Sequence, residues 1–170
     1  MAEVEEISDL NRVYEKGEEI LNTIVNIFQV NGFEVPDYRY VSIYDVERVP
    51  HDNTDQLTVG VGDIRPYVFD SGRGVHANCG SALMRAKFHV ELVRCTPQPR
   101  SAKGGHQNAA PPLEKVQEYG KARSQELWLM IRACQAIVED DFLKRNDFVL
   151  ASGQDSGGVQ AIKVTLDCVV

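Results

Sequence analysis

The chain has 170 residues, of which 43% are hydrophobic, so it is long enough to form one domain with a substantial core. Its 25 acidic and 18 basic residues give a net charge of −7, which argues against a protein that grips nucleic-acid phosphates through Lys and Arg. The acidic start, MAEVEEISDL, lacks the composition of a secretory signal, and no stretch approaches the ~18 apolar residues of a membrane span, so we expect a soluble cytosolic protein.

The first predicted element is a long amphipathic helix from Asp9 to Asn31. Its apolar residues recur at intervals of three and four, which is the helical period. Ser8 or Asp9 can cap the start, and Asn31 followed by Gly32 is a favourable end. Gly17 lies inside this helix at a cost of about 1 kcal/mol relative to alanine, and we interpret it as a point of close packing against another backbone.

Three strands are predicted to follow this helix. Residues Tyr38–Val46 are rich in aromatic and β-branched side chains, and Gln56–Ile64 alternates Leu and Val with Thr and Gly. After a glycine-rich loop, the third strand alternates strictly, which favours an antiparallel sheet with one buried face and one face toward water or a partner. The polar face of this third strand carries Arg85, Lys87, His89 and Glu91.

A segment of seventeen residues without periodicity, Thr96–Pro112, follows the third strand. It is rich in Pro, Gly and Ala, and irregular loops of this length are usually functional or disordered. Within an acidic chain the segment is locally basic, through Arg100, Lys103 and His106. We therefore expect an extended loop at 96–112 that is available for contact.

A second long helix is predicted to begin at Leu113, directly after two prolines that suit its first turn. We expect it to end near Leu143 or to break at Asp140-Asp141, because acids oppose the dipole at a helix C-terminus. Trp128 is expected in the core. The predicted apolar stripe consists of Leu113, Val116, Gly120, Leu127, Ile131, Cys134 and Val138.

Two further strands complete the chain, namely the short Asp147–Ala151 and the alternating C-terminal VQAIKVTLDCVV. The order α-β-β-β-α-β-β predicts an α/β (α+β) fold in a single domain, residues 1–170. We expect a mostly antiparallel mixed sheet of about five strands, with the two long helices packed on one face so that both apolar stripes are buried.

The strongest local candidate for a nucleophile is Cys79, because a potential base, His76, lies three residues before it. Gly80 leads into a strand rather than a helix, so a structural loop cysteine is the simpler interpretation. A zinc site would have to add His89 and Cys95, which do not form the close ligand pair that zinc sites favour. The four cysteines are scattered, which argues against a disulfide scaffold.

Other candidate sites are weaker. The glycine-containing stretches GVGDIRP and SGRGVH lack the full phosphate-binding patterns and do not lead into helices. The acids Glu139, Asp140 and Asp141 are interpreted as a solvated helix end rather than a cation site. We therefore expect no catalytic residue, no metal and no cofactor.

Several motifs occur in a distinctive order. They are a QLTV strand, a CG dipeptide, an alternating strand that closes on VRCTPQP, a proline-rich gap, a KARSQELWLMIRAC helix and a terminal GGVQAIKVTLDC strand. In this order and spacing, from roughly Val13 to the end, the chain resembles tail terminator proteins of long-tailed (siphovirus-type) phages that infect actinobacteria.

The resemblance implies a small α/β sandwich and a virion structural protein rather than an enzyme. It implies a homo-hexameric ring that caps the tail tube, stops its polymerisation and joins the tail to the head-side connector. Tail tube protein and connector or stopper protein are the implied partners, and DNA passes through the ring without specific binding. The implied location is the virion tail and neck, after assembly in the host cytoplasm and without membrane contact.

Under this interpretation, the polar face of the third strand meets acids on a neighbour in the ring, and the loop cations Arg100, Lys103 and His106 reach an adjacent subunit or partner. The acidic surplus keeps the DNA channel repulsive. The alternatives are a head–tail connector or stopper protein of the same neck region, a small cytosolic thiol enzyme that uses Cys79 and His76, and a generic ligand-binding domain.

Overall fold

Two long helices cover one face of a five-stranded mixed sheet, as the order of predicted elements indicates. The computed structural model describes residues 2–43, 55–66, 84–96, 100–101, 108–109, 111–139, 147–152 and 159–170. The helices are α1 (Ala2–Val30) and α2 (Leu113–Glu139). The strands are β1 (Tyr38–Ser42), β2 (Gln56–Pro66), β3 (Met84–Cys95), β4 (Arg100–Ser101), β5 (Asn108–Ala109), β6 (Asp147–Ser152) and β7 (Val159–Val169).

The strand order in the main sheet is β1-β2-β3-β7-β6. The β2–β3, β3–β7 and β7–β6 pairs are antiparallel, and β1 runs parallel to β2, so the prediction of a mostly antiparallel mixed sheet is confirmed. A bulge interrupts the β2–β3 ladder between Val61 and Asp63. The predicted irregular segment 96–112 contains the two-residue pair β4–β5, which sequence periodicity was too short to indicate.

The core lies between the helices and the inner face of the sheet, which we define as the face toward the helices. Alternation along β3 places Ala86, Phe88, Val90 and Leu92 on this face, each at most 1% exposed. The largest fully buried side chains come from both helices and the central strands: Phe28, Phe88, Ile20, Ile24, Leu57, Leu92, Leu129, Met130 and Leu166.

Helix α1 begins at Ala2 rather than at the predicted Asp9. The predicted end is confirmed. Gly32 adopts a φ of 75°, in the left-handed region, and the Phe33 N–H donates to the Phe28 carbonyl at 2.9 Å, as in a Schellman motif.

Gly17 is a point of close packing, as predicted, but its neighbour is a side chain rather than a backbone. A Cβ built at Gly17 would lie 2.7 Å from Cγ1 of Val41, which belongs to the edge strand β1. Helix α1 therefore approaches β1 closely enough that only glycine fits there without a shift.

The apolar stripe predicted for α2 is wrong at Leu113, Val116 and Gly120, whereas Cys134 is buried and Leu127 and Val138 pack against the core. The buried residues are Arg123, Glu126, Leu129, Met130, Ala133, Cys134 and Ile137. Of the predicted stripe only Cys134 is fully buried, whereas Leu113 and Val116 are 70% and 44% exposed and Gly120 faces open space. Trp128 is 52% exposed, so its predicted place in the core is also wrong. The helix ends at Glu139, before the predicted Leu143.

Candidate subunit-contact surface

The four predicted residues of β3 lie together on the outer face of the sheet, which we define as the face away from the helices. Each stands between a residue of β2 and a residue of β7 in register. From β2 through β3 to β7, the four rows are Arg65/Arg85/Val169, Asp63/Lys87/Asp167, Gly60/His89/Thr165 and Thr58/Glu91/Lys163. Two of the rows, Asp63/Lys87/Asp167 and Thr58/Glu91/Lys163, place opposite charges next to one another, whereas Arg65 lies beside Arg85.

Asp167 bridges the two adjacent arginines. Nε of Arg85 donates to Oδ1 of Asp167 at 2.6 Å, and Nη2 of Arg65 donates to Oδ2 of Asp167 at 3.3 Å. The Arg85 and Asp167 side chains are each 21% exposed, whereas that of Arg65 is 51% exposed. One carboxylate therefore offsets the repulsion of two like charges that face each other across β2 and β3.

His89 is held between β2 and β7. Its Nδ1 lies 3.2 Å from the Thr165 hydroxyl oxygen. A Cβ built at Gly62 would lie 2.2 Å from Nε2 of His89, so the ring occupies the space that a side chain at Gly62 would need. The absence of a side chain at Gly62 thus leaves room for the imidazole, and the contact with Thr165 orients it.

The charge on Glu91 is balanced within the chain, because Nζ of Lys163 lies 3.6 Å from Oε1 of Glu91. Lys87 differs from its three neighbours on β3. Among the described residues no carboxylate lies within ion-pair distance of its ammonium group, although Asp63 and Asp167 stand beside it in register. Within the described part of the chain, Lys87 is therefore the cation on the outer face of β3 that has no ion-pair partner.

The outer face is not exposed along its full length. Gln56, Thr58, Val93 and Ala161 lie on it and are 5%, 4%, 6% and 1% exposed. Toward the other end Asp63 and Arg65 are exposed, and Lys163 is exposed in the same row as the buried Thr58. A contact with another molecule would thus use the half of the face that carries the charges.

The three predicted loop cations are only partly placed. Arg100 begins β4, and its backbone pairs with Ala109 of β5. Lys103 and His106 lie outside the described residues, as do His76 and Cys79 of the thiol-enzyme alternative.

A buried ionic cluster at the end of β3 was not anticipated from the sequence. Glu126 of α2 accepts hydrogen bonds from two guanidinium groups, from Arg94 Nε at 2.8 Å and from Arg123 Nη1. Arg94 also donates from Nη1 to Asp55 Oδ2 at 2.8 Å and from Nη2 to the Glu34 carbonyl at 2.5 Å. Burial of these groups is tolerated because each charge has a charged partner.

The cluster connects β3, which precedes the 96–112 segment, with α2, which follows it. Arg94 and Cys95 end β3, and the Cys95 backbone N–H donates to Asp55 Oδ1 at 2.9 Å. On the α2 side, Arg123 donates to the side-chain oxygen of Gln160 at 3.3 Å and to its carbonyl at 3.4 Å. The segment therefore leaves the fold beside the cluster and re-enters it at Leu113, ten residues before Arg123.

A sequence signal for this cluster exists in the alternation of β3. Arg94 has the same parity as Phe88, Val90 and Leu92, so it points to the inner face, where an unpaired arginine would be costly. The position of Arg94 on the inner face predicts a buried acidic partner but does not identify that residue. Glu126 lies in a different element, and only the tertiary structure identifies it.

The described thiols do not resemble activated nucleophiles. Burial, followed by the charge of Asp55, raises the pKa of Cys95, and burial raises the pKa of Cys134 to about 12. An activated cysteine needs the opposite shift, toward the thiolate. Cys134 and Cys168 are both fully buried, in line with the prediction of small core groups.

Within the described ranges, no group of three or more His, Cys, Asp or Glu side chains has the geometry of a metal site. A shallow groove of about 570 Å³ runs between the end of α1 and the exposed side of α2, with Phe33, Lys121, Trp128 and Leu129 among its lining residues. Trp128 stacks under the guanidinium of Arg132, 4.9 Å from the ring centre. Neither described helix has a stretch that is long and apolar enough to cross a membrane.

Comparison of the chain with protein-family models and with curated proteins gives no match.

Proposed function

We propose that the chain is a ring-forming tail terminator, a virion structural protein that caps the tail tube, stops its polymerisation and joins the tail to the head-side connector. The observation that carries the proposal is the ordered set of motifs from roughly Val13 to the end. The family it resembles has an α/β sandwich with helices against a mixed sheet, and this chain has the same arrangement.

A closed ring needs two different patches on each subunit, one for each neighbour. The outer face offers a patch with available cations, since Lys87 has no ion-pair partner among the described residues and Arg65 is half-exposed. The solvent side of α1 lies on the opposite side of the sandwich and carries Glu15 and Glu18, which are exposed and unpaired within the described part of the chain. We propose that the outer face of one subunit meets α1 of the next.

The pairing already present on the outer face supports this role. Arg85, His89 and Glu91 are held by Asp167, Thr165 and Lys163 before any partner arrives. Side chains that are ordered in advance lose less conformational entropy on binding. Lys87 then supplies the attraction to the neighbour, and the fixed residues supply the shape.

The 96–112 segment is proposed to reach an adjacent subunit or the connector. The buried cluster around Glu126 fixes the end of β3, from which this segment leaves the fold. Net negative charge of −7 is proposed to keep DNA from adhering as it passes through the ring. No enzymatic step and no cofactor are part of this proposal.

Removal of the gene from the phage tests the function. A tail terminator is needed to stop tube growth, so we expect tubes of uncontrolled length without attached heads, and plasmid-borne protein should restore normal particles. A stopper protein would instead leave tails of normal length without heads. Normal, infectious particles without this protein would refute both roles.

Two changes test the proposed contacts. Lys87→Glu should prevent incorporation into particles, Glu18→Lys in the same chain should partly restore it, and Lys115→Glu on exposed α2 is the matched control. Deletion of Lys103–Ala109 should weaken assembly and leave the monomer folded. Incorporation of Lys87→Glu at the wild-type level would remove the outer face from the contact, and unchanged assembly of the deletion would remove the loop.

A further inference from the structure

The groove between the end of α1 and the exposed side of α2 combines apolar side chains with one cation. Its volume is about 570 Å³, and its described lining residues are Asn31, Phe33, Lys121, Ser124, Gln125, Trp128 and Leu129. Leu129 is 2% exposed, whereas Trp128, the single tryptophan of the chain, is 52% exposed. The described lining thus offers apolar surface and a positive charge, and it includes no acidic residue.

Lys121, Gln125, Trp128 and Arg132 form one stripe along the exposed side of α2. Successive members are four, three and four residues apart, so at ~100° per residue they lie within about 60° of one another around the helix. The Arg132 guanidinium stacks on the Trp128 ring, 4.9 Å from its centre. A stacked guanidinium keeps its N–H donors in its own plane, where a carboxylate can accept two of them at once.

The two cations of the stripe are available to an external anion. Among the described residues, neither Lys121 nor Arg132 has a carboxylate within ion-pair distance. The exposed acids nearest in sequence to the lining residues, Glu34 and Glu118, do not line the groove. Along α2 the two cations therefore bracket Trp128, and neither is neutralised by a described acid.

The uncharged polar side chains of the groove can bind a peptide backbone. The Gln125 amide has no hydrogen-bond partner within the described part of the chain. Asn31 donates from Nδ2 to the Ile27 carbonyl at 2.7 Å, which leaves its side-chain oxygen as an acceptor. An amide side chain offers both a donor and an acceptor, which are the two groups that a peptide unit needs.

We propose that this groove binds an extended acidic segment of a partner protein, in which an apolar side chain lies between two carboxylates. The apolar side chain contacts Trp128 and Leu129, and the carboxylates meet Lys121 and Arg132. Tryptophan and arginine are the residue types that most often dominate the energy of protein–protein contacts.

The length of the stripe predicts the spacing of the two carboxylates. Lys121 and Arg132 are separated by about 16 Å along the helix axis, at ~1.5 Å per residue. Stacking on Trp128 draws the Arg132 guanidinium back toward Lys121, so the charged groups are roughly 10–16 Å apart. An extended chain rises ~3.3 Å per residue, so carboxylates about four residues apart span this distance.

The charges around the groove favour isolated carboxylates over a polyanion. Glu34 and Glu118 are exposed next to lining residues in the sequence, and the chain as a whole has a net charge of −7. A continuous row of phosphates would therefore meet repulsion beyond the two cations. The chemistry of the groove thus selects an acidic peptide rather than a nucleic acid.

The groove residues take no part in the ring contact proposed above. The test therefore uses purified full-length protein and does not depend on phage particles. Trp128 fluorescence reports binding directly, because the chain has no other tryptophan. The probe is the peptide Glu-Ser-Leu-Ser-Glu with both ends blocked, and it should change the emission in a saturable way at low salt.

Three matched peptides separate the contributions of charge and apolar surface. Gln-Ser-Leu-Ser-Gln, which lacks both carboxylates, should bind about tenfold more weakly than the probe. Glu-Ser-Gly-Ser-Glu, which lacks the apolar side chain, should also bind about tenfold more weakly. Lys-Ser-Leu-Ser-Lys, with reversed charges, should show the weakest binding of the four.

Variants of the chain test the two cations. Lys121→Glu and Arg132→Glu should each raise the dissociation constant of the probe about tenfold, because each replaces an attraction by a repulsion. Lys121→Arg keeps the charge and should stay within about twofold of wild type. Lys115→Glu makes the same charge change on another side of α2 and is the matched control, also within about twofold. Circular dichroism should show the wild-type fold in all four variants.

Absence of a saturable change in emission up to about 5 mM probe would overturn the proposal. Equal affinity for the acidic and the lysine peptide, or an affinity that neither glutamate variant lowers, would also overturn it. Tighter binding of a short oligothymidylate would assign the groove to nucleic acid instead. Self-association in analytical ultracentrifugation that Lys121→Glu abolishes would assign it to a second copy, and either of these results would overturn the proposal.

Discussion

Glu126→Gln should strongly destabilise the protein, because Glu126 is the anion that two buried guanidinium groups share. The side chains of Glu126, Arg94 and Arg123 are 7%, 11% and 9% exposed, so water cannot replace the lost charge. Glutamine has nearly the same shape, but its amide group would point a donor at one of the two arginines. The substitution thus removes charge while it preserves volume.

The magnitude follows from the bonds that change. Each hydrogen bond to a charged group contributes about 1.5–3 kcal/mol, and removal of one partner from a buried ion pair typically costs about 3–5 kcal/mol. Arg94 keeps Asp55 and the Glu34 carbonyl, whereas Arg123 keeps only the two Gln160 oxygens among the described hydrogen-bond partners. We therefore expect the free energy of unfolding to fall by about 3–5 kcal/mol, with Arg123 the more affected partner.

Urea unfolding followed by circular dichroism measures the change, with Glu118→Gln as the control. Glu118 is exposed on the same helix, so its variant should stay within about 0.5 kcal/mol of wild type. The loss in Glu126→Gln should persist at high salt, since buried charges are poorly screened. A loss below about 1 kcal/mol, or one that salt abolishes, would refute the view that Glu126 is the shared counter-ion of a buried cluster.

Three further predictions concern the outer face, the glycines and the buried thiol. Asp167→Asn should lower the free energy of unfolding by about 1–2 kcal/mol at low salt and by less in 1 M NaCl, because it leaves Arg65 and Arg85 facing each other on a partly exposed surface. Equal losses at both salt concentrations in urea unfolding would contradict this. Gly120→Ala, in open space on α2, should stabilise the protein by about 0.5–1 kcal/mol, whereas Gly17→Ala should destabilise it by about 1–3 kcal/mol through a clash with Val41. Thermal unfolding should therefore show a higher melting temperature for the first variant and a lower one for the second. Because burial raises the pKa of Cys134 in the folded protein from 9.0 to about 12, its stabilising contribution is complete below pH 9 and is lost as pH rises toward 12. In Cys134→Ala, the free energy of unfolding should fall less steeply over this window, and an unchanged slope would show that folding does not raise the pKa of this thiol.

Patterns with a period of two were the most reliable guide to this fold. Strict alternation along β3 and β7 identified both strands, their buried faces and the outer-face group of Arg85, Lys87, His89 and Glu91. Alternation is informative because a shift by one residue would exchange the two faces completely. The same pattern cannot reveal which residues of other strands lie alongside, so the roles of Asp167, Thr165 and Gly62 emerged only from the sheet register.

The charged cluster at the end of β3 shows a different limit of sequence patterns. Helix and strand periods assign residues to faces by hydrophobicity, and a buried charge violates that assignment wherever it is paired. Arg123 and Glu126 are three residues apart on the buried side of α2. Apolar spacing alone predicts that neither residue is buried. Their burial depends on Arg94 and Asp55, which come from distant parts of the chain and become neighbours only when β3 packs under α2.

The displaced stripe of α2 shows a related limit of apolar spacing. Leu113 and Val116 fall on the predicted stripe but are 70% and 44% exposed, whereas Leu127 and Val138 pack against the core without being fully buried. The buried side of the helix includes Arg123 and Glu126, which a hydrophobicity pattern assigns to solvent. Because these paired charges hide the buried side from such a pattern, only the hydrogen bonds of Glu126 with Arg94 and Arg123 identify the side of α2 that faces the sheet.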